Sequence, residues 1–255
     1  MKALFAVAAL AAVAGSAQAG ILGPGAIAFT GFNADGTDNL AFVALQPLPV
    51  GTVIGFTDNE WSGTAWVDNN ENGFELTITT AVPAGAIVRM DTVGGASITD
   101  ATSNYGTISG IAGAGTNLGV SNSTEAIYAF IGSYASPVSF LALVAHDNEA
   151  NSGSIVGTGL VAGVTAQFNV LNTADEDIFA YVGARSGAAS FADYLPLING
   201  GLSSEWISQD ASGDQSIDGI GPDVPFDGTA FTIVPTPGAL ALMGLGGLVA
   251  TRRRR

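Results

Sequence analysis

Strand-length runs of apolar and β-branched residues recur through the middle of this sequence, and turn residues break each one before it reaches helical length. The runs are Ala26 to Phe32, Leu40 to Leu45, Val53 to Thr57, Phe74 to Thr79 and Ala86 to Met90. They continue with Ala126 to Ile131, Val138 to Ala145, Val164 to Leu171, Ile178 to Val182 and Thr229 to Ile233. Glu75-Leu76-Thr77-Ile78-Thr79 alternates polar and apolar, as a strand with one wet face does. Ala126 to Ile131 is apolar on both faces and reads as a central strand. Asp35-Gly36, Asn72-Gly73, Pro83-Ala84-Gly85 and Asn199-Gly200-Gly201 separate the runs and favour turns through their backbone preferences. Only Ala188 to Ile198 suggests a helix, a short one. The pattern predicts an all-β chain, an antiparallel β-sandwich built as one domain over residues 20–233. One echo runs through it: Thr124 to Gly132 resembles Asp175 to Gly183, as two similar strands of one sheet would.

The two ends carry a different message. Lys2 precedes an almost unbroken apolar stretch from Ala3 to Ala14, and Ala17-Gln18-Ala19 offers the small-x-small site that signal peptidase requires. Residues 1–19 are therefore expected to be a signal peptide cleaved by that peptidase, with Ala17 and Ala19 at the cleavage site. At the other end, Val234-Pro235-Thr236-Pro237 leads into Gly238 to Ala250, which holds no charge, and then to Arg252, Arg253, Arg254 and Arg255. Proline is tolerated in a helix only at its first turn, so the two prolines mark a break before an apolar helix. The arginines favour the cytoplasmic side of a bilayer. A spanning helix usually needs about 20 apolar residues, and this one is shorter. Residues 238–250 are expected to hold the inner membrane transiently as a C-terminal transmembrane helix.

The order Pro-x-Pro box, Gly- and Leu-rich helix and arginine cluster over residues 234–255 resembles the PEP-CTERM sorting signal of bacteria that secrete exopolysaccharide. Thr236 departs from the commonest form of the box, which has Glu there. The resemblance implies an exosortase-type processing enzyme acting near Val234 to Pro237, delivery to the cell surface or extracellular matrix, and exopolysaccharide as a partner. The body has a softer likeness. Phe32 to Leu45, Gly51 to Trp61 and Val82 to Gly85 follow the order strand, Gly-Thr, strand, Asp-Asn, strand, Pro-x-Gly, strand. Over residues 25–145 this is similar to lamin-tail-like, immunoglobulin-type sandwiches, and it implies an accessory or display role without catalytic residues.

Charge excludes several partners. The chain has 22 acidic residues, all between Asp35 and Asp227, and Arg89 and Arg185 are the only basic residues between the two end segments, so the body carries a formal charge of −20. Such a field repels nucleic acid, anionic lipid and acidic glycans, and attracts divalent cations. There is no cysteine, which rules out thiol chemistry, thiolate zinc sites and disulfides.

Catalytic signatures are missing. No Gly-x-Ser-x-Gly elbow exists, and His146 is the single histidine, expected at a strand end or loop. Carboxylates that could serve a glycosidase are too numerous to single out a pair. The run Gly110 to Gly119 lacks the lysine and following helix of a phosphate-binding loop. Trp61, Trp66 and Trp206 are either core residues or sugar-stacking surfaces. Calcium is the one cofactor with a candidate: Asp210, Ser212, Asp214 and Asp218 space oxygen ligands along a loop, although Gln215 and Gly221 break the EF-hand pattern. Asp58-Asn59-Glu60 and Asp175-Glu176-Asp177 are further acidic clusters.

The expectation is an exported, tail-sorted surface or matrix protein with a non-enzymatic structural or display role and no catalytic site. Its alternatives are a calcium-dependent carbohydrate-binding or adhesion module and, further off, a surface polysaccharide hydrolase.

Overall fold

The computed structural model describes residues 21–67, 71, 73–94, 97–114, 119–120, 126–168, 177–200 and 205–234. Its strands are β1 (Ile27–Asn33), β2 (Asn39–Ala44), β3 (Val53–Thr57), β4 (Gly73–Ile78), β5 (Ile87–Asp91) and β6 (Thr102–Ser103). Then follow β7 (Gly106–Gly110), β8 (Ala126–Ser133), β9 (Ser136–Ala145), β10 (Ala166–Gln167), β11 (Ile178–Tyr181) and β12 (Trp206–Gln209). The expected helix is a 3-10 turn, Phe191–Tyr194, running into α1 (Leu195–Asn199). Pro196 occupies the first turn of α1, where a missing N–H is harmless.

Two six-stranded sheets result, in the orders β12-β11-β1-β2-β5-β6 and β10-β9-β8-β3-β4-β7. The chain crosses between them in small groups of strands, so that pairs of sequence neighbours alternate between the two sheets. Every pairing is antiparallel except β9 with β10, where Leu143 and Val144 run parallel to Ala166 and Gln167. The echoing segments become β8 and β11, which lie in different sheets.

One core joins the sheets. Phe56 of β3 packs against Phe29 of β1 at 6.2 Å, Phe42 of β2 at 5.9 Å and Phe74 of β4 at 5.0 Å between ring centroids. All four rings are buried. Phe29 and Phe32 are both core residues although a regular strand would point them to opposite faces. A bulge at Thr30, between the pairs Phe29↔Phe42 and Gly31↔Ala41, resets the alternation. Phe32 then stacks on Phe179 of β11 at 4.6 Å. The same device acts in β9, where an extra residue at Leu141 lets Phe140 and Leu143 share the second sheet's outer aromatic cluster.

The outer faces are covered too. Phe226 lies over Gly31, and the segment that follows is strapped down by Phe231 N–H to Gly85 O, Thr232 N–H to Arg185 O and Val234 N–H to Ala188 O, each 2.8 Å. Thr229 to Ile233 is therefore not the strand its composition suggested. The donors of Phe231, Thr232 and Val234 go to two separate stretches, Gly85 and Arg185 to Ala188, and only Ile233 bridges Ala188. Three strands escaped the sequence pattern. β6 is two residues long, β7 (Gly-Thr-Ile-Ser-Gly) is a mostly exposed edge with one large apolar residue, and β12 has two.

Residues 1–19, Pro235 to Pro237, 238–250, Arg252 to Arg255, Asp175, Glu176 and residues 115–118 of the glycine-rich run lie outside the described residues. No helix among the described residues is long and apolar enough to cross a membrane. Removing the central ring by Phe56→Ala should lower unfolding free energy by about 3–5 kcal/mol, because a buried cavity adds to the lost transfer energy. Urea unfolding of variant and parent, compared at one pH, measures this.

Candidate functional site

Trp61 and Trp66 face each other across a small hairpin that begins where β3 ends. They form an antiparallel bridge, with Ser62 N–H donating to Ala65 O at 2.9 Å and Val67 N–H to Glu60 O at 2.8 Å. Gly63 turns the chain at φ +103°, in the region glycine adopts without a Cβ penalty. The Ser62 hydroxyl locks the turn by donating to Ala65 O at 2.7 Å.

This hairpin folds onto the outer face of the second sheet. There Tyr128, Phe130, Tyr134 and Phe140 form an aromatic cluster with the two tryptophans. Trp66 stacks parallel to Tyr134, 5.3 Å apart at 5°, and meets Trp61 edge-on at 5.0 Å. Both indole N–H groups are used in holding this geometry: Trp61 Nε1 donates to Val156 O at 3.0 Å and Trp66 Nε1 to Tyr134 O at 2.7 Å. Phe130 can lie close to β3 because its cross-strand partner is Gly55, where a Cβ would sit 2.5 Å from the ring.

Between the tryptophan hairpin and the tip of the β8–β9 hairpin lies an open cavity of about 500 Å³. Trp61, Trp66 and Tyr134 wall it, Thr64 and Ser136 add hydroxyls, and among the described residues none that lines it is charged. Sequence reading found the tryptophans but not Tyr134 or the hairpin tip. The available signal was two tryptophans five residues apart around Ser-Gly-Thr-Ala, a spacing that pairs them across a turn. Trp206, by contrast, is buried, donates from Nε1 to Ile198 O at 3.0 Å and packs on Phe179 and Tyr181, so it is a core residue.

The calcium candidates meet the β1–β2 turn at one end of the first sheet. Asp210, Ser212, Asp214 and Asp218 are all exposed. Asp214 Oδ1 accepts from Ser216 N at 3.0 Å and Ser216 Oγ at 2.6 Å, and Asp218 Oδ1 accepts from Ile220 N at 2.7 Å. The loop folds around the buried Gln215, whose side-chain amide donates to Ala211 O and Gly213 O while its backbone N–H reaches Asp35 Oδ2. Partial burial raises the Asp35 carboxyl above its ordinary range, with Asp177 and Asp214 adding repulsion against the hydrogen bond from Gln215. Among the described residues, no group of three or more His, Cys, Asp or Glu side chains is placed to hold a metal ion. Asp58 and Asn59 are buried, and Asn59 Nδ2 donates to Thr57 Oγ1 at 2.9 Å and Glu71 O at 3.2 Å, so this stretch shapes the end of β3.

His146 follows the end of β9, as expected, but is buried. Its ring meets Phe32 edge-on at 4.6 Å and Phe179 at 5.3 Å, which places it in the core. A second cavity of about 450 Å³ opens on the first sheet beside Arg185, Asp223, Phe226 and Asp227. Arg185 is committed there to Tyr181 O, Asp227 O and Thr229 O.

Asp38 is the acid the fold perturbs most clearly. Burial pushes its carboxyl up to about 6, against hydrogen bonds from Val120 N–H and its own backbone, with Asp35 adding repulsion. Its folded pKa thus exceeds the unfolded value of 3.8, so the folded state binds the proton more tightly. That contribution is present below the unfolded pKa and is lost as pH rises through about 6. Going from pH 7 to pH 5 should stabilise the protein by about 1 kcal/mol through this group. Asp38→Asn keeps an acceptor for Val120 and should remove that increment, read as the difference between parent and variant in urea unfolding at the two pH values.

No family model, no curated protein and no solved structure matches the chain.

Proposed function

We propose that the protein is exported and sorted by its tail to a bacterial cell surface or extracellular matrix, where its body serves a non-enzymatic display role. The observation that carries this reading is the layout of charge. Five of the seven basic residues lie in the two end segments, and all 22 acids lie between them. The two cations of the body are turned onto its own backbone: Arg89 Nη1 donates to Phe226 O at 3.3 Å, and Arg185 is held by three carbonyls. The outer surface thus presents charge of almost one sign. Copies carrying it repel one another and anionic polymer, stay separated, and gather divalent counter-ions.

The finer likeness, an immunoglobulin-type or lamin-tail-like sandwich, belongs to the same proposal. The interleaving of strand pairs between two sheets supports it. The roles of signal peptidase and an exosortase-type enzyme at the two ends, with residues 238–250 as the inner-membrane hold, belong to this proposal as well. The last described backbone bond is at Val234, so the Pro-x-Pro box would follow directly on the folded body.

A double substitution, Pro235→Ala with Pro237→Ala, should leave full-length precursor in the inner-membrane fraction while the parent reaches the surface or medium. Unchanged surface yield in the variant would sink the sorting part of the reading.

A calcium-dependent adhesion module is the second reading: Asp177 and Asp214 each raise the Asp35 carboxyl by repulsion, although no group of three acids among the described residues is placed to hold a metal ion. The display role predicts thermal melts that do not distinguish millimolar calcium from millimolar magnesium. A large rise specific to calcium reverses the order of the two, since a ligand bound only by the native state raises its stability.

A further inference from the structure

We propose that the cavity between the Trp61–Trp66 hairpin and the tip of the β8–β9 hairpin binds a neutral pyranose unit of a glycan. The inference concerns the folded body alone and is independent of where the tail takes it.

Charge gives the first argument. In a body of charge −20, a concave site lined by no charged residue among those described is an exception to the surface around it. A uronic acid or sulfated sugar approaching it meets a repelling field, and a cationic ligand finds no carboxylate among the described lining residues to receive it. A neutral ligand is subject to neither constraint.

Shape and chemistry give the second. Small-ligand sites are concave, mostly apolar, of about 300–1,000 Å³, with a few polar groups fixing orientation. The cavity of about 500 Å³ has Trp66 and Tyr134 stacked within it and Trp61 set across them, with the hydroxyls of Thr64 and Ser136 on its wall. A pyranose ring matches that division. Its C–H face covers aromatic surface, while its equatorial hydroxyls exchange hydrogen bonds with protein hydroxyls and water.

Pre-organisation gives the third. Both indole N–H groups are already spent on backbone carbonyls of the opposing loops, and the Ser62 turn is closed on itself. The rings are therefore held before a ligand arrives, so little ordering cost falls on binding. With the N–H groups occupied and Trp61 and Tyr134 buried, the half-buried Trp66 is the ring that offers a ligand surface, and it offers ring carbon rather than a donor.

Titration of the intact protein tests this through tryptophan fluorescence, since two of its three tryptophans line the cavity and the third is buried elsewhere. The probes are neutral tetrasaccharides of glucose, mannose and galactose, a uronic acid tetrasaccharide and a proline-rich peptide, each taken into the millimolar range. At least one neutral sugar should give a saturable change, weakened roughly tenfold or more by Trp66→Ala. Trp66→Ala also loosens the aromatic cluster, so Thr64→Val and Ser136→Ala, both at exposed positions, are tested beside it. These should weaken binding several-fold with an unchanged melting temperature. No saturable response to any neutral sugar overturns the proposal. So does equal or tighter binding of the uronic acid or the peptide, or a response undiminished in Thr64→Val and Ser136→Ala.

Discussion

The rings of Phe29 and Phe42 on one sheet meet Phe56 on the other, and Phe74 backs that contact from the neighbouring strand. This contact holds the two sheets at their spacing, so the positions of strands, loops and cavities are referred to it. Without disulfides, the body depends on close packing of large rings for the rigidity that a covalent framework gives disulfide-rich domains. Edge and stacked geometries both occur around Phe56, and each limits how far the sheets can slide past one another.

The bulges in β1 and β9 follow from that packing. Each strand has more bulky apolar residues than a strict alternation could direct to one face, and one extra residue resets the direction. The consequence is a sandwich apolar beyond its central layer. Phe226 and its strap shield the first sheet from outside, and the tryptophan hairpin shields the second. Reading Ala126 to Ile131 as a central strand was correct for this reason, since both faces of β8 are buried from Ala126 to Phe130.

Long apolar runs bounded by turn residues were legible because a strand covered on both faces must be apolar throughout. β7 was not, because an edge strand needs little apolar character, and Thr107 and Ser109 say as little about structure as any loop residue. The strap from Thr229 to Ile233 misled in the opposite direction. It has strand composition because it covers a sheet, yet its donors go to three different partners. At the cavity, Trp61 and Trp66 were visible as candidate stacking residues, but Tyr134 and Ser136 lie near them only because β8 and β9 turn where the hairpin folds down. That meeting depends on tertiary packing, and no local spacing encodes it. The loop from Asp210 to Asp218 looked like an open set of ligands. Its shape is set by the single amide of Gln215, a residue that ligand spacing alone would count as an interruption.

The strap also decides how the body meets a mechanical load. A pull entering the chain beyond Val234 reaches three backbone bonds in close succession, one to Gly85 beside β5 and two to the segment Arg185–Ala188 that follows β11. Those anchors lie on opposite sides of β1 and β2 in the first sheet's order, so tension is shared across the width of the sheet before any strand begins to peel. A domain tethered through this end in moving fluid would yield first at its strap, drawing Phe231 away from Tyr181 and Tyr194 before the contact of Phe29 and Phe42 with Phe56 is loaded.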